Sequence, residues 1–170
     1  ILMLLEITPA LTALKGVEME LIAWAFPLLR GFVCTDEPMV AFKDAESAFM
    51  VGAFPRKAGM VSADLLAKNA GIFKVQVDAI EKVAKKTFKA LVVGNTANTN
   101  CLIHAEHYPS IPRKNFCAMT SLDHNRTIVQ LATRAGCTPS EVEGVCVFGN
   151  HSAYMVPFIE AATIKGKPVR

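Results

Sequence analysis

The chain has 170 residues, 52% of them hydrophobic, and a formal net charge of +3 at pH 7. That length allows one domain or parts of two, with enough apolar residues for a buried core. The small charge argues against a nucleic-acid binder, and the apolar runs break off well short of membrane-spanning length. Ile1 to Glu6 is too short for a signal peptide and lacks its basic flank, so the reading is a cytoplasmic protein with no nucleic-acid and no membrane partner.

Taken in order, the pattern alternates strand and helix. Ile1 to Glu6 reads as a strand; Thr8 and Pro9 then occupy cap and first-turn positions of a helix whose buried stripe is Leu11, Leu14, Val17 and Leu21. Strands follow near Phe32 to Cys34 and from Ser47 to Ala53. After a loop with Pro55 and two glycines, Leu65, Leu66, Ile72, Phe73, Val77, Ile80 and Val83 mark a long amphipathic helix. Lys82, Lys85, Lys86 and Lys89 cluster at its end, where cations complement the helix dipole. Lys89 to Gly94 and Phe116 to Thr120 are the next strands, and Asp123 to Ala135 is a helix with Gly136 as its stop.

Five scattered cysteines without a Cys-x-x-Cys spacing suit reduced thiols better than a disulfide framework or a zinc site. His104 and His107 lie three apart on a helix with no further ligands nearby, so they read as a surface pair and no metal is expected.

Four blocks carry chemistry. Asp123 and Arg126 are three apart and share a helix face, while His151 follows the apolar run Val145 to Phe148. If that run ends beside the helix, Asp123 can hold one imidazole nitrogen of His151, leaving the other to exchange a proton with a substrate hydroxyl. Arg126 can grip a carboxylate through two parallel hydrogen bonds. Val92 to Asn100 turns from strand to helix through Asn and Thr, and Gly52 to Met60 is a loop with two cations that could close over an anion. A base, its carboxylate partner and an anion-binding guanidinium are what a 2-hydroxy acid dehydrogenase needs.

In this order the blocks resemble the malate dehydrogenases, in particular the cytosolic-type branch of the lactate and malate dehydrogenase family. The resemblance runs from Ile1 to about Ala162. Its phrases are Leu4 to Ile7, Gly16 to Leu21, Ala25 to Leu29, Ala41 to Asp44, Gly52 to Met60, Asp64 to Asn69, Val92 to Leu102, Pro109 to Pro112, Leu122 to Arg126 and Gly149 to Ser152. It implies NAD as cofactor, malate and oxaloacetate as substrates, a role in malate metabolism and the tricarboxylic acid cycle, and a homodimer in the full-length family.

By the same resemblance His151 is the proton acceptor, Asp123 its partner, and Arg126 the holder of the carboxylate beside the reacting carbon. Arg56 binds the distal carboxylate, Asn95 lies against nicotinamide and substrate, and Glu6 accepts from the adenosine ribose, favouring NAD over NADP.

Some positions depart from the family pattern. Ser62 stands where a second loop arginine belongs, Thr96 where proline follows Asn95, Ser121 where an arginine precedes Leu-Asp, Phe148 where tryptophan precedes Gly-Asn-His, and Phe158 where an aspartate belongs. No two glycines stand two apart, so the Gly-x-Gly-x-x-Gly fingerprint is absent.

The expected fold is therefore α/β: an incomplete Rossmann-type doubly wound parallel sheet over residues 1–119, followed at 120–170 by the start of the α+β catalytic domain. The chain reads as an internal fragment whose first strand, central to the sheet, is missing. Two sets of strand edges then lack a partner, and low stability, association and inactivity of the fragment by itself are expected. Two alternatives stay open. Ser62 and Ser121 favour a diverged noncatalytic remnant serving as a binding or interaction module, whereas a lactate-specific enzyme would leave Arg56 unpaired against a methyl group.

Overall fold

Residues 1–54 and 62–169 are described by a computed structural model, which for 62–68 gives the backbone alone. The chain divides into two compact units, Ile1–Ala118 and Met119–Arg170.

The first unit runs β1 (Leu2–Leu5), α1 (Leu11–Ala23), β2 (Phe32–Thr35), α2 (Pro38–Ala41), β3 (Ser47–Met50), α3 (Ser62–Val83), β4 (Lys89–Val92), α4 (Ala97–His107) and β5 (Phe116–Ala118). All its ladders are parallel, as strands separated by helical crossovers require. They form two sheets. In one, β1 pairs with β2, Leu2 opposite Phe32. In the other the order is β3-β4-β5, with Ser47 opposite Lys89 and Ala90 opposite Phe116. No ladder joins the two among the described residues, so β1 and β3 each keep one unpaired edge.

What connects them is side-chain packing. The short α2 lies against β1, β2 and α3, and Leu5 reaches the main core, which centres on Phe42, Val77, Ile80, Phe88, Val92, Tyr108 and Phe116. Phe88 and Val92 are fully buried, each contributing about 1.5–3 kcal/mol by leaving water. Phe42 meets Phe88 edge to face with ring centroids 6.4 Å apart.

Several local readings change. Thr8 is not a helix cap: its hydroxyl donates to Asp36 Oδ2 at 2.6 Å, and one turn of 3-10 helix, Thr8–Ala10, comes before α1. The expected stripe of α1 is thin. Leu14 is buried but Val17 is 45% exposed; among the strands of the described residues, α1 packs chiefly on β2.

The strand expected to reach Ala53 leaves its ladder at Met50, whose carbonyl accepts from both Val93 and Gly94 N–H. The strands expected to reach Gly94 and Thr120 stop at Val92 and Ala118. The lysines expected at one helix end divide too. Lys82 is in the last turn of α3, whereas Lys85 lies beyond it and pairs with Glu46.

His104 is the largest local correction. It is fully buried rather than on the surface: its ring packs 4.7 Å from that of Phe73, and its Nδ1 lies 3.3 Å from the Tyr108 hydroxyl. The α4 face that carries Asn100 and His104 turns inward because α3 and β5 both pack on that helix. Burial, followed by the neighbouring His107, lowers the His104 pKa to about 4, and burial raises that of Tyr108. Asp78 and Glu81 of α3 are the acids near Tyr108.

A pH dependence follows. The folded pKa is depressed below the usual value of about 6.5, so the unfolded chain binds the proton first. The contribution of neutral His104 is complete above about pH 6.5 and is lost as the pH falls toward 4. Between pH 7 and 4.5 the wild type should lose about 2–3 kcal/mol more than His104→Phe, as read by urea unfolding at each pH. Equal losses in the two proteins would refute this.

The second unit comprises α5 (Leu122–Ala135), β6 (Val142–Glu143), β7 (Cys146–Phe148), β8 (Val156–Phe158), β9 (Thr163–Ile164) and β10 (Lys167–Pro168). α5 ends at Gly136, in the left-handed conformation. β7 and β8 form an antiparallel hairpin and β6-β9-β10 a small antiparallel sheet. Ala132, Val142, Val145 and Ala162 form a separate core beneath α5. Among the described residues no helix is long and apolar enough to cross a membrane, and no group of three or more His, Cys, Asp or Glu is placed to hold a metal ion.

Candidate active site

Asp123 sits in the first turn of α5, where the exposed N–H groups favour a carboxylate. Its own carbonyl accepts from the Thr127 hydroxyl at 2.9 Å. His151 comes from the loop between β7 and β8, in which Phe148 lies opposite Val156. Gly149 makes the entry to that loop possible: its φ is +94°, and a Cβ there would stand 3.3 Å from the Tyr154 carbonyl oxygen. Beyond it, Ser152 closes the turn, its hydroxyl accepting from Tyr154 N–H and its carbonyl from Met155 N–H.

Two departures from the family pattern meet at this hairpin. Phe148 and Phe158 pack edge to face with centroids 5.8 Å apart, an apolar clasp at the base of the loop. Ser121 precedes α5 as its cap residue but makes no side-chain capping bond.

The Asp123 carboxylate, 15% exposed, has both oxygens engaged. Oδ2 lies 2.5 Å from His151 Nδ1, and Oδ1 accepts from Arg126 Nη1 at 3.1 Å. An ionised carboxylate can only accept, so Nδ1 carries the hydrogen and the neutral ring keeps its lone pair on Nε2. His151 is 68% exposed and Arg126 65%, so both are open to a ligand. Arg126 uses one N–H on Asp123 and retains four for another anion. Asp123 and Arg126 also border a cavity of about 370 Å³ whose other wall is Met155, Pro157 and Ile159; His151 is not part of its lining.

In the first unit, Asn95 and Glu6 follow β4 and β1 at their carboxyl ends, where open parallel sheets bind ligands. Both are exposed. Glu6 Oε2 accepts from Ile7 N–H at 3.1 Å. The Asn95–Thr96 peptide bond is cis. Arg56 lies outside the described residues, and Ser62 opens α3 with its side chain outside them.

Two polar residues escaped the sequence reading. Asn69 and Asn100 are buried, and their amides bond to backbone groups of the segments after β3 and β4. The available signal was a carboxamide on a buried helical period: Asn69 precedes Phe73, Val77 and Ile80, and Asn100 precedes His104, at the same spacing.

A parallel nucleotide-type unit followed by a unit bearing an Asp-His pair and an adjacent arginine is the plan of one family, and the chain belongs to it. Residues 1–117 match the NAD binding domain of the lactate/malate dehydrogenases, and residues 120–170 match the alpha/beta C-terminal domain of the same family.

Within it, the chain is 50% identical to the cytoplasmic malate dehydrogenase of Gallus gallus over 171 residues, which is 99% of this chain and 51% of that protein. Malate dehydrogenase from Naegleria fowleri superposes with a TM-score of 0.88 at 43% identity, covering 96% of this chain and 50% of that one. Lactate dehydrogenase from Trichomonas vaginalis, in complex with NADH and oxamate, gives 0.84 at 41% identity, covering 94% and 48%. The chain thus spans about half the length of these relatives.

Proposed function

We propose that this chain carries the nucleotide-binding part, residues 1–119, and the opening of the catalytic part, residues 120–170, of an NAD-dependent malate dehydrogenase. The observation that supports this most directly is the Asp123 carboxylate lying between the His151 imidazole and the Arg126 guanidinium.

The residues present fit the dinucleotide in part. At the end of β1 an exposed carboxylate, Glu6, has one oxygen on Ile7 N–H and acceptor capacity to spare, which suits a ribose diol and repels a 2′-phosphate. The glycine loop that would cradle a pyrophosphate is not in the sequence. When bound, NAD accepts the hydride released from the substrate carbon.

The remaining steps belong to side chains. His151 Nε2 takes the substrate hydroxyl proton, and Asp123 stabilises the imidazolium that results. Arg126, anchored to Asp123 through Nη1, presents its other edge to the carboxylate next to the reacting carbon. Asn95 would lie against the nicotinamide and the substrate, and Arg56 would take the distal carboxylate. Relatives named for malate and for lactate match almost equally well, at 43% and 41% identity, so overall similarity does not separate the substrates. Arg56 favours the dicarboxylic one, since a guanidinium facing a methyl group would be desolvated without a partner.

The test is NADH consumption by a polypeptide extended to the length of the relatives, with oxaloacetate or pyruvate, in the wild type and in Ser62→Arg. Oxaloacetate should be strongly preferred. Ser62→Arg should raise the rate by about 10²–10³-fold, by restoring a donor to the carbonyl oxygen on which charge develops. No consumption by either protein would overturn the proposal in favour of a noncatalytic remnant.

A further inference from the structure

Asn95 occupies a turn that two buried side chains hold from opposite directions. Asn100, on α4, donates through Nδ2 to the Gly94 carbonyl at 2.9 Å. Asn69, on α3, donates through Nδ2 to the carbonyl of Asn95 itself at 3.5 Å, and its Oδ1 accepts from Phe54 N–H at 2.7 Å. The carbonyls on either side of the Asn95 Cα therefore both face a carboxamide N–H, that of Gly94 at close range and that of Asn95 at the long end of the hydrogen-bond range. Two fixed peptide planes set φ and ψ at that residue, and with them the direction of its Cα–Cβ bond.

The backbone is close-fitting here as well. A Cβ on Gly94 would stand 2.9 Å from Ala53 Cβ and 3.1 Å from the Val51 carbonyl oxygen, so only glycine lets the segments after β3 and β4 approach this far. Gly94 N–H also donates to Met50 O at 3.1 Å.

The arrangement costs stability. Among the described residues the buried polar side chains are Asn69, Asn100 and His104, and two of the three serve this one turn. Burying an amide that lacks full hydrogen bonding is unfavourable, and Asn100 Oδ1 has no partner among the described residues. An apolar side chain at 69 or 100 would avoid that penalty but could not hold a carbonyl.

We propose that Asn69 and Asn100 are positioning residues for Asn95, fixing the backbone that aims its carboxamide. The proposal rests on the reading of Asn95 as the residue that lies against nicotinamide and substrate. The family pattern has a proline after Asn95 to stiffen this turn; here Thr96 follows it, and the two helices supply the restraint.

The experiment uses a polypeptide extended to the length of the relatives, with ¹⁵N relaxation at Asn95 and Thr96, thermal melting, and an NADH fluorescence titration. Variants are Asn69→Asp, which keeps the acceptor for Phe54 N–H and removes the donor to Asn95, Asn69→Leu, which removes both, and Asn100→Leu. Asn69→Asp should raise mobility at Asn95 and Thr96 while leaving hydrogen exchange at Phe54 N–H unchanged; Asn69→Leu should raise both.

Asn100→Leu should loosen Asn95 independently, and the melting midpoints should stay within a few degrees of wild type. Where NADH binds, each variant should weaken it by about tenfold. Unchanged relaxation at Asn95 in Asn69→Asp and Asn100→Leu, or loosening spread evenly through the unit with a lower melt, overturns the proposal. A wild type that binds no NADH overturns the functional reading of Asn95 instead, and the relaxation result still decides whether the two amides aim it.

Discussion

In a polypeptide extended to the length of its relatives, His151→Asn is expected to lower turnover of malate by about 10²–10⁴-fold, the usual range for loss of a general acid-base group. Asparagine is close to imidazole in size and can still donate toward Asp123, so the loop should keep its shape. What it lacks is a second nitrogen able to take a proton.

The KM for oxaloacetate should move little, because Arg126 retains its bond to Asp123 Oδ1. Asp123→Asn should also cut turnover. An amide nitrogen facing Nδ1 reverses the hydrogen bond and favours the ring form whose Nε2 already carries a hydrogen. It should raise KM as well, since it weakens the anchor of Arg126. Steady-state kinetics on both variants checks this, and a His151→Asn enzyme with wild-type turnover would exclude His151 as the base.

The second large effect concerns association. β1 and β3 each offer one unpaired edge, with apolar groups beside it: Ile1 is 88% exposed, Phe49 75% and Val51 62%. Parallel strands are ordinarily covered on both faces and paired on both sides. Each edge group kept from water without a partner costs about 1–3 kcal/mol, so the isolated chain should satisfy them by pairing with another copy.

The expected result is elution in size-exclusion chromatography that shifts to larger species with concentration, together with a broad melt. Phe49→Lys, a cation on an exposed edge position, should reduce the larger species. A monomeric profile with a sharp two-state melt would contradict this account.

Both expectations draw on features that local sequence displays to different degrees. The alternation of apolar strands with helices is legible because parallel strands and their crossover helices carry periods that neighbours three or four residues away can reveal. The stop of α5 at Gly136 is legible for the same reason, since the signal and the structure occupy the same turn.

The stripe of α1 was not. Val17 has the correct period, but whether a period is buried depends on what lies beneath the helix, and among the strands of the described residues α1 packs chiefly on β2. His104 erred in the other direction. A histidine three residues from another suggests a solvated face, and no local rule reports that Phe73 and Tyr108 will enclose it.

By itself, then, the sequence determined the α/β class, the membership of the lactate and malate dehydrogenases, and the residue types available for proton exchange and anion binding. Those are properties of composition, period and short motif, carried by residues close together in the chain. The break of the parallel strands into two sheets agrees with the expectation of two sets of strand edges without a partner. Only the tertiary structure decided that Asp123 meets an imidazole 28 residues away and that two buried asparagines reach the carbonyls around Asn95. Such contacts form between segments distant in sequence, and their geometry is set by how the helices pack on the sheets rather than by any side chain's own preference.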